Sequence, residues 1–340
     1  MFQLKNRLQE KVNPKRETYF DFLRGIAITL VVFIHTTPSI DLSEFNVYEE
    51  FNLAFRQLLN VAVPLFLAIS GYFIGKKEMK VDEKKLFLKK QLKKIYYPCL
   101  LWSIPYFVMD LYGGKNPLMA LSLLFLCGYS VYYFIALIFQ YYCISNILTK
   151  LKLRGVIYSG IITMISIVLI TYLLHIKGVS IPLLIYAGLF PVWMLFFAIG
   201  LYLGKNAKRD YKLLPYLILF FLGWLLSIAE SHFFYSYHQK GFGIKLSAFV
   251  YAFGCIMVLF SSYTESVIYN VKNLLCQLFV YIGNQSFGIY LCHCFFISAI
   301  GLLPVTLPWF IKAFMVLLCS SLFIATSKRY FSRIAGYLGF

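Results

Sequence analysis

Long apolar runs separated by short polar segments are the dominant pattern of this 340-residue chain. The runs are roughly 20 residues long, the length at which a helix crosses a bilayer, and they lack the alternation of a membrane β-barrel strand. The pattern therefore predicts an all-α, polytopic integral membrane bundle. The ten predicted spans are 20–38, 54–75, 95–112, 129–148, 155–174, 184–204, 213–231, 246–263, 279–300 and 308–327.

Lysine and arginine are concentrated on one side of these predicted spans. With the N-terminus inside the cell, the inner segments are 1–19, 76–94, 149–154, 205–212, 264–278 and 328–340. Most of them are visibly basic, whereas the outer segments hold few basic residues and the first outer loop, "PSIDLSEFNVYEEFN", is acidic. Because cytoplasmic loops carry the excess of Lys and Arg, both termini are predicted to be cytoplasmic.

A single membrane domain is predicted over residues 1–340, with 1–19 as a short basic cytoplasmic segment. This segment is polar for too long to be a signal peptide, and no small-residue cleavage site follows the first apolar run. The apolar stretch 118–128 is too short to cross a bilayer unaided, so it is predicted to be an interfacial or re-entrant helix.

Composition excludes several classes of protein. The chain is 60% hydrophobic and only 14% charged, which is unlike a soluble domain. The net charge of +18 does not indicate nucleic-acid binding, because the positive residues lie in short segments between apolar runs. The eight cysteines lie mostly inside apolar runs, and Cys292 and Cys294 flank His293 at alternate positions that face different sides of a helix. No metal site is therefore predicted.

Three ionisable residues occupy the first predicted span, where charge is expensive. Asp21 and Arg24 lie near its cytoplasmic end. His35 lies in the outer half, roughly 21 Å along the helix from Asp21. Asp21 and Arg24 are compatible with interfacial anchoring or with a site. His35 is compatible with a structural role, held by the hydroxyls of Thr36 and Thr37, or with proton transfer near neutral pH.

Further polar residues lie toward the outer half of other spans. Glu230 ends span seven, His293 lies in span nine, and Tyr133 opens span four. On the cytoplasmic side, Lys90, Lys93 and Lys94 recur at helical spacing before span three. They indicate either ordinary positive-inside charge against anionic lipid or a basic face for a phosphate-bearing ligand.

Together these residues resemble the acyltransferase family 3 membrane proteins, most closely the O-acetyltransferases of the enterobacterial-common-antigen type. "DFLRGIAITLVVFIHTT" resembles the family's opening span, with Arg24 and His35 at its spacing, and "VPLFLAISGYFIGKKE" its second span. "GNQSFGIYLCHCFFI" resembles a late Ser-x-Gly-Ile-Tyr-x-x-His pattern, whereas "YYFIALIFQYYCISNIL" lacks the Trp-Phe-Leu usual at the start of span four. The resemblance covers about residues 15–330.

The resemblance implies transfer of an acyl group, usually acetyl from acetyl-CoA, to a hydroxyl of a cell-envelope carbohydrate in the bacterial plasma membrane. It implies His35 as the catalytic histidine and Arg24 as a site residue. Asp21, three residues before Arg24, is predicted with them as a catalytic residue that orients partners or binds the donor. The family's phosphate-binding Arg-x-x-Arg pair is replaced by Gln91 and Lys94. The implied donor-binding residues are therefore Lys90, Lys93 and Lys94, and the implied acceptor-binding residues are Glu230, His293 and Tyr133.

The expected protein is thus a membrane O-acyltransferase with acyl-CoA, a carbohydrate acceptor and the lipid bilayer as partners, and with no permanently bound cofactor. Acetyl and related groups such as succinyl both suit this expectation, as do direct transfer and an acyl-histidine intermediate. The alternative is a transporter of a carbohydrate or lipid-linked substrate, which polar groups at mid-membrane also suit. A transporter usually shows matching broken helices in two repeats, and no such repeat is visible in this chain.

Overall fold

A computed structural model describes residues 18–77, 81–148, 150, 152–206, 209–238, 242–270, 273–304 and 307–340. These residues form helices and connecting loops, with no strand among them. The first 17 residues of the predicted basic segment lie outside the described part of the chain. In chain order the α-helices are α1 Thr18–Thr36, α2 Val47–Leu59, α3 Ala62–Lys76, α4 Val81–Gln91, α5 Tyr97–Tyr112, α6 Pro117–Phe125, α7 Tyr133–Leu148, α8 Leu153–Thr171, α9 Leu183–Tyr186, α10 Phe190–Lys205, α11 Leu214–His238, α12 Leu246–Phe260, α13 Ser262–Asn270, α14 Leu274–Asn284, α15 Ser286–Gly301, α16 Trp309–Tyr330 and α17 Ser332–Tyr337.

The helical membrane architecture predicted from the apolar runs is confirmed. By length and composition, five helical stretches of the described residues are apolar enough to cross a membrane: Thr18–Thr36, Val47–Lys76, Leu153–Ile176, Leu214–Tyr237 and Trp309–Tyr330. Three bent helix pairs, α6 with α7, α12 with α13 and α14 with α15, raise that number to eight. The count of ten spans and the cytoplasmic placement of both termini stay predictions.

Helix α1 lies at the centre of the bundle. It packs against α3, α14, α15 and α16. Its buried apolar residues include Phe20 and Leu23 at one end and Ile28 and Val32 further along, and these belong to two different core clusters. A helix with neighbours on most sides can hold polar side chains away from lipid, which is what the three ionisable residues of α1 require.

Helices α3 and α10 cross at glycines. Gly71 and Gly75 on α3, and Gly200 and Gly204 on α10, each form a small-x-x-x-small pattern. A Cβ atom at Gly200 would overlap the backbone carbonyl oxygen of Ala68, so the helix backbones touch directly. Such patterns let membrane helices approach closely, and here they fix α3 as a rigid wall of the bundle.

The region predicted as the single span 279–300 is instead broken. Helices α14 and α15 meet at Gln285 with a bend of 82°. The motif "GNQSFG" lies at this bend, and its residues line a cavity of the protein. The segment predicted to be interfacial or re-entrant contains α6, which meets the following helix at 53°.

Candidate active site

Two cavities open at different levels of α1. The first has a volume of about 560 Å³ and the second a volume of about 670 Å³. His35 lines the first and Arg24 lines the second, so we call them the histidine cavity and the arginine cavity. Eleven residues separate the two side chains in sequence, which is about 16 Å along a helix.

His35 presents its imidazole to the histidine cavity. Its side chain is exposed there, and no hydrogen bond to it occurs within the described residues. The hydroxyls of Thr36 and Thr37 donate instead to the backbone carbonyls of Val32 and Ile34. The structural reading in which these threonines hold the ring is therefore wrong. His35 is left open for a ligand, which is what proton transfer requires.

His293 supports His35 from α15. The two imidazole centroids lie 5.5 Å apart, and His293 is fully buried. The Nδ1 atom of His293 lies 2.7 Å from the Tyr290 carbonyl oxygen, so it carries the proton because a carbonyl oxygen only accepts. Helix α15 therefore brings His293 beside His35, and the predicted role of His293 in acceptor binding stays a prediction.

The polar lining of the histidine cavity includes residues for which no role was predicted. Tyr133, which was predicted, lines it at the start of α7. Arg56 and Asn60 also line it, and Arg56 donates a hydrogen bond of 2.6 Å to the Asn60 side-chain oxygen. Arg56 lies within the predicted span 54–75, and an ionisable residue inside a span is a candidate functional residue. This reasoning applies to Arg56 as it does to His35.

A buried polar network lies behind Arg56. The Gln57 side-chain oxygen accepts hydrogen bonds from Asn60 at 2.9 Å, Ser227 at 2.9 Å and Lys245 at 2.6 Å. Lys245 also donates to the Ser231 hydroxyl at 2.6 Å and is fully buried just before α12. Burial lowers the pKa of the Lys245 amine to about 7. The network holds α2, α11 and the start of α12 in one arrangement around the cavity.

Glu230 lies outside both cavity linings. Its carboxylate accepts hydrogen bonds from the Ser247 backbone N–H at 3.0 Å and from the Ser247 hydroxyl. Ser247 is in the first turn of α12, so Glu230 satisfies a free N–H and faces the positive end of the helix dipole. The predicted role of Glu230 in substrate binding stays a prediction.

The arginine cavity is basic. Four cationic side chains line it, Arg24, Lys77, Lys94 and Lys328, together with polar side chains at the α14–α15 bend. Arg24 donates to the buried Asp21 carboxylate at 2.6 Å, and its guanidinium lies 4.8 Å from the centroid of the Phe73 ring. Asp21 thus orients Arg24 toward the cavity.

Only one of the three predicted donor-binding lysines lines the arginine cavity. Lys94 does so, together with Gln91 one helical turn before it, whereas Lys90 and Lys93 are exposed and lie outside the lining. Lys77 and Lys328, which were not singled out in the sequence, do line it. They come from segments distant in sequence, and only the fold brings them together.

Three aromatic side chains line the histidine cavity where α3 and α15 pass from one cavity to the other. On α3, Phe66 lines the histidine cavity and Ser70, one turn later, lines the arginine cavity. On α15, Gly288 lines the arginine cavity and Tyr290 lines the histidine cavity. The Phe134 ring lies 6.0 Å from both the Phe66 and the Tyr290 rings, and we call these three side chains the aromatic layer.

The described residues thus form an all-helical membrane protein that holds a histidine in the lining of one cavity and four cationic side chains in the lining of another. A family model described as an acyltransferase domain matches residues 17–330. The chain therefore belongs to the acyltransferase family 3 and is a membrane acyltransferase. No curated protein and no solved structure matches the chain.

Proposed function

We propose that this acyltransferase moves an acetyl group from acetyl-CoA to a hydroxyl of a cell-envelope carbohydrate, with His35 as the general base. The observation that carries the proposal is the arrangement of α1, which holds Arg24 in a basic cavity and His35 in a second cavity behind a thin aromatic layer. Such an enzyme takes its donor from one side and its acceptor from the other. The family membership does not favour the transporter alternative.

The arginine cavity suits the donor. CoA carries phosphate groups, and four cationic side chains with no acidic residue among the described lining attract them. The N-terminus of α15, with its free N–H groups, adds to the same positive potential. Arg24 offers a fork of donors that suits a phosphate, while the lysines act as point charges.

The histidine cavity suits the acceptor. The hydroxyl oxygen attacks the thioester carbonyl carbon while the His35 imidazole takes the hydroxyl proton. The C–S bond then breaks, and the leaving CoA thiolate receives this proton from the His35 imidazolium. His35 thereby returns to its neutral starting state. His293 and Tyr133 line or flank the place of this reaction and orient the reactants.

The aromatic layer keeps the CoA phosphates and the acceptor in separate cavities. The thioester reaches His35 only past Phe66, Phe134 and Tyr290, so the CoA phosphates stay in the arginine cavity while the acyl end crosses. The layer is about one helical turn thick, because Phe66 and Ser70 line opposite cavities. Water and free acceptor are thereby kept away from the donor until the thioester is in place.

The proposal includes the membrane placement predicted from charge. Ten spans with both termini cytoplasmic put the arginine cavity on the cytoplasmic side, where acyl-CoA is made, and the histidine cavity on the outer side. We place the protein in the bacterial plasma membrane, among the enterobacterial-common-antigen type of O-acetyltransferases, with no permanent cofactor or metal. The positive-inside distribution of Lys and Arg supports this orientation.

The test follows release of the free CoA thiol from acetyl-CoA by purified protein in nanodiscs, with and without an extract of envelope glycans. We expect glycan-stimulated release from wild type and loss of at least about a hundredfold in His35→Ala. His232→Ala is the matched control, because His232 is exposed, pairs with Glu50 at 3.1 Å and lies outside both cavities. Normal release by a folded His35→Ala variant would overturn the mechanism.

A further inference from the structure

Arg56 is a charged group in the wall of the histidine cavity, and it has no charged partner among the residues that the structure describes. No Asp or Glu is among the described residues that line this cavity. Within the described residues, the hydrogen-bond partner of Arg56 is the neutral Asn60 side chain, at 2.6 Å. A guanidinium keeps its charge, and burying that charge without a counter-ion is costly.

The structure holds Arg56 in place despite this cost. Its partner Asn60 is itself anchored, because its amide donates to the Gln57 side chain at 2.9 Å and to the Phe242 carbonyl at 3.1 Å. Gln57 in turn accepts from Lys245 and Ser227 on other elements. A cation held by a neutral partner in the wall of a cavity is the arrangement that recognises an anionic ligand group.

We propose that Arg56 binds an anionic group, carboxylate or phosphate, on the acceptor, and that the enzyme therefore acylates an acidic glycan. This rests on the proposed function, since it names the acceptor class of the same cavity. A carboxylate would come from an acidic sugar and a phosphate from a sugar phosphate or a lipid-linked glycan. In both cases the guanidinium binds the anion beside His35 and sets which hydroxyl reaches the imidazole.

A role in stabilising the oxyanion of the transition state is the competing explanation for Arg56. The two roles differ kinetically. An acceptor-binding group acts on KM for the acceptor, whereas an oxyanion-binding group acts on kcat with every acceptor.

The test uses acetyl-CoA labelled in its acetyl group, the protein in nanodiscs and a native extract of envelope glycans. The labelled product is separated on an anion-exchange column. We expect His35-dependent label in the retained, acidic fraction. Carboxyl reduction of the extract abolishes that product if the anion is a carboxylate, and phosphatase or mild acid abolishes it if the anion is a phosphate.

Three variants complete the test, each first shown to be monodisperse in nanodiscs. Arg56→Met is expected to raise the acceptor KM about tenfold or more, and Arg56→Lys to restore part of this loss because the charge remains without the fork. Lys115→Met is the matched control, since it removes a positive charge that lies outside both cavities and pairs with Asp110 at 2.8 Å.

Label in the unretained, neutral fraction, or an unchanged acceptor KM in Arg56→Met, would overturn the inference while leaving the proposed function standing. A lower kcat at unchanged KM would assign Arg56 to the oxyanion and overturn it as well. No His35-dependent label in any fraction would overturn the proposed function, and this inference with it.

Discussion

The basic lining of the arginine cavity predicts how much the KM for acetyl-CoA should rise when its lysines are removed. Lys94→Met and Lys328→Met each remove one positive charge from that lining. Both side chains are exposed, so solvent screens them, and each contact with a CoA phosphate is worth about 0.5–1 kcal/mol. Each single variant should therefore raise KM for acetyl-CoA about two- to fivefold, and the double variant about five- to thirtyfold if the effects add.

The matched control removes two charges from the same region. Lys93 is next to Lys94 and Arg329 is next to Lys328, yet neither lines the cavity. The side chain of Arg329 lies over the Tyr330 ring, with its guanidinium carbon 5.4 Å from the centroid. A Lys93→Met, Arg329→Met double variant should keep the wild-type KM, although Lys93 was predicted from the sequence to bind the donor.

The assay is CoA thiol release at saturating acceptor, with acetyl-CoA varied. Acetyl-3′-dephospho-CoA serves as a second donor, because a lysine that binds the 3′-phosphate should lose its effect with it. The difference between wild type and the Lys94→Met, Lys328→Met variant should also shrink at 1 M salt, where the screening length falls to about 3 Å. If this variant and the control have the same KM, CoA phosphates do not bind in the arginine cavity.

Three further predictions concern stability, each read from thermal unfolding in nanodiscs. Gly200→Val should lower the free energy of unfolding by more than about 2 kcal/mol, because the valine side chain would force α10 away from the Ala68 carbonyl. A variant that unfolds at the same temperature as wild type would contradict the direct contact between the helices. Glu230→Gln should lower the free energy of unfolding by about 1 kcal/mol, because it weakens the hydrogen bonds that cap α12 at Ser247. Unchanged stability with a raised KM for the acceptor would instead support a role of Glu230 in substrate binding. Burial lowers the pKa of Lys245 from 10.5 to about 7, so the unfolded state binds more protons between these values. The free energy of unfolding of wild type relative to Lys245→Met should therefore rise from pH 7 to pH 10. A difference that does not change with pH would refute the lowered pKa of Lys245.

The helices themselves were predictable because a membrane imposes a simple pattern. A helix must be apolar for roughly 20 residues, and its connecting segments must carry the charge. What the pattern could not show is where a helix bends within an apolar run. The break at Gln285 lies in the short polar motif "GNQS" with apolar residues on both sides, so residues 279–300 average out as a single span, although α14 and α15 meet at 82°.

The site was predictable where one residue type is rare in its surroundings. His35 and Asp21 stand out in an apolar run, and the structure brings His35 beside His293 and into the lining of the same cavity as Tyr133. Lys245 is the opposite case. Its sequence position is that of an ordinary outer-loop lysine, but it is fully buried because Gln57 and Ser231, from distant helices, supply its partners. Long-range partners of this kind are not visible in local sequence.

The position of Arg24 and His35 on a single helix explains why this chain tolerates charge in its first span. Separate helices could hold a donor site and a base, but their spacing would then change with every movement of one helix against another. On α1 that spacing is set by the helix itself, at about 16 Å for eleven residues. Helices α3 and α15 each pass from one cavity lining to the other within about one turn, at Phe66 and Ser70 and at Gly288 and Tyr290. In the proposed function, the charged CoA phosphates stay on one side of the aromatic layer, and the thioester is the part of the donor whose polarity allows it to cross.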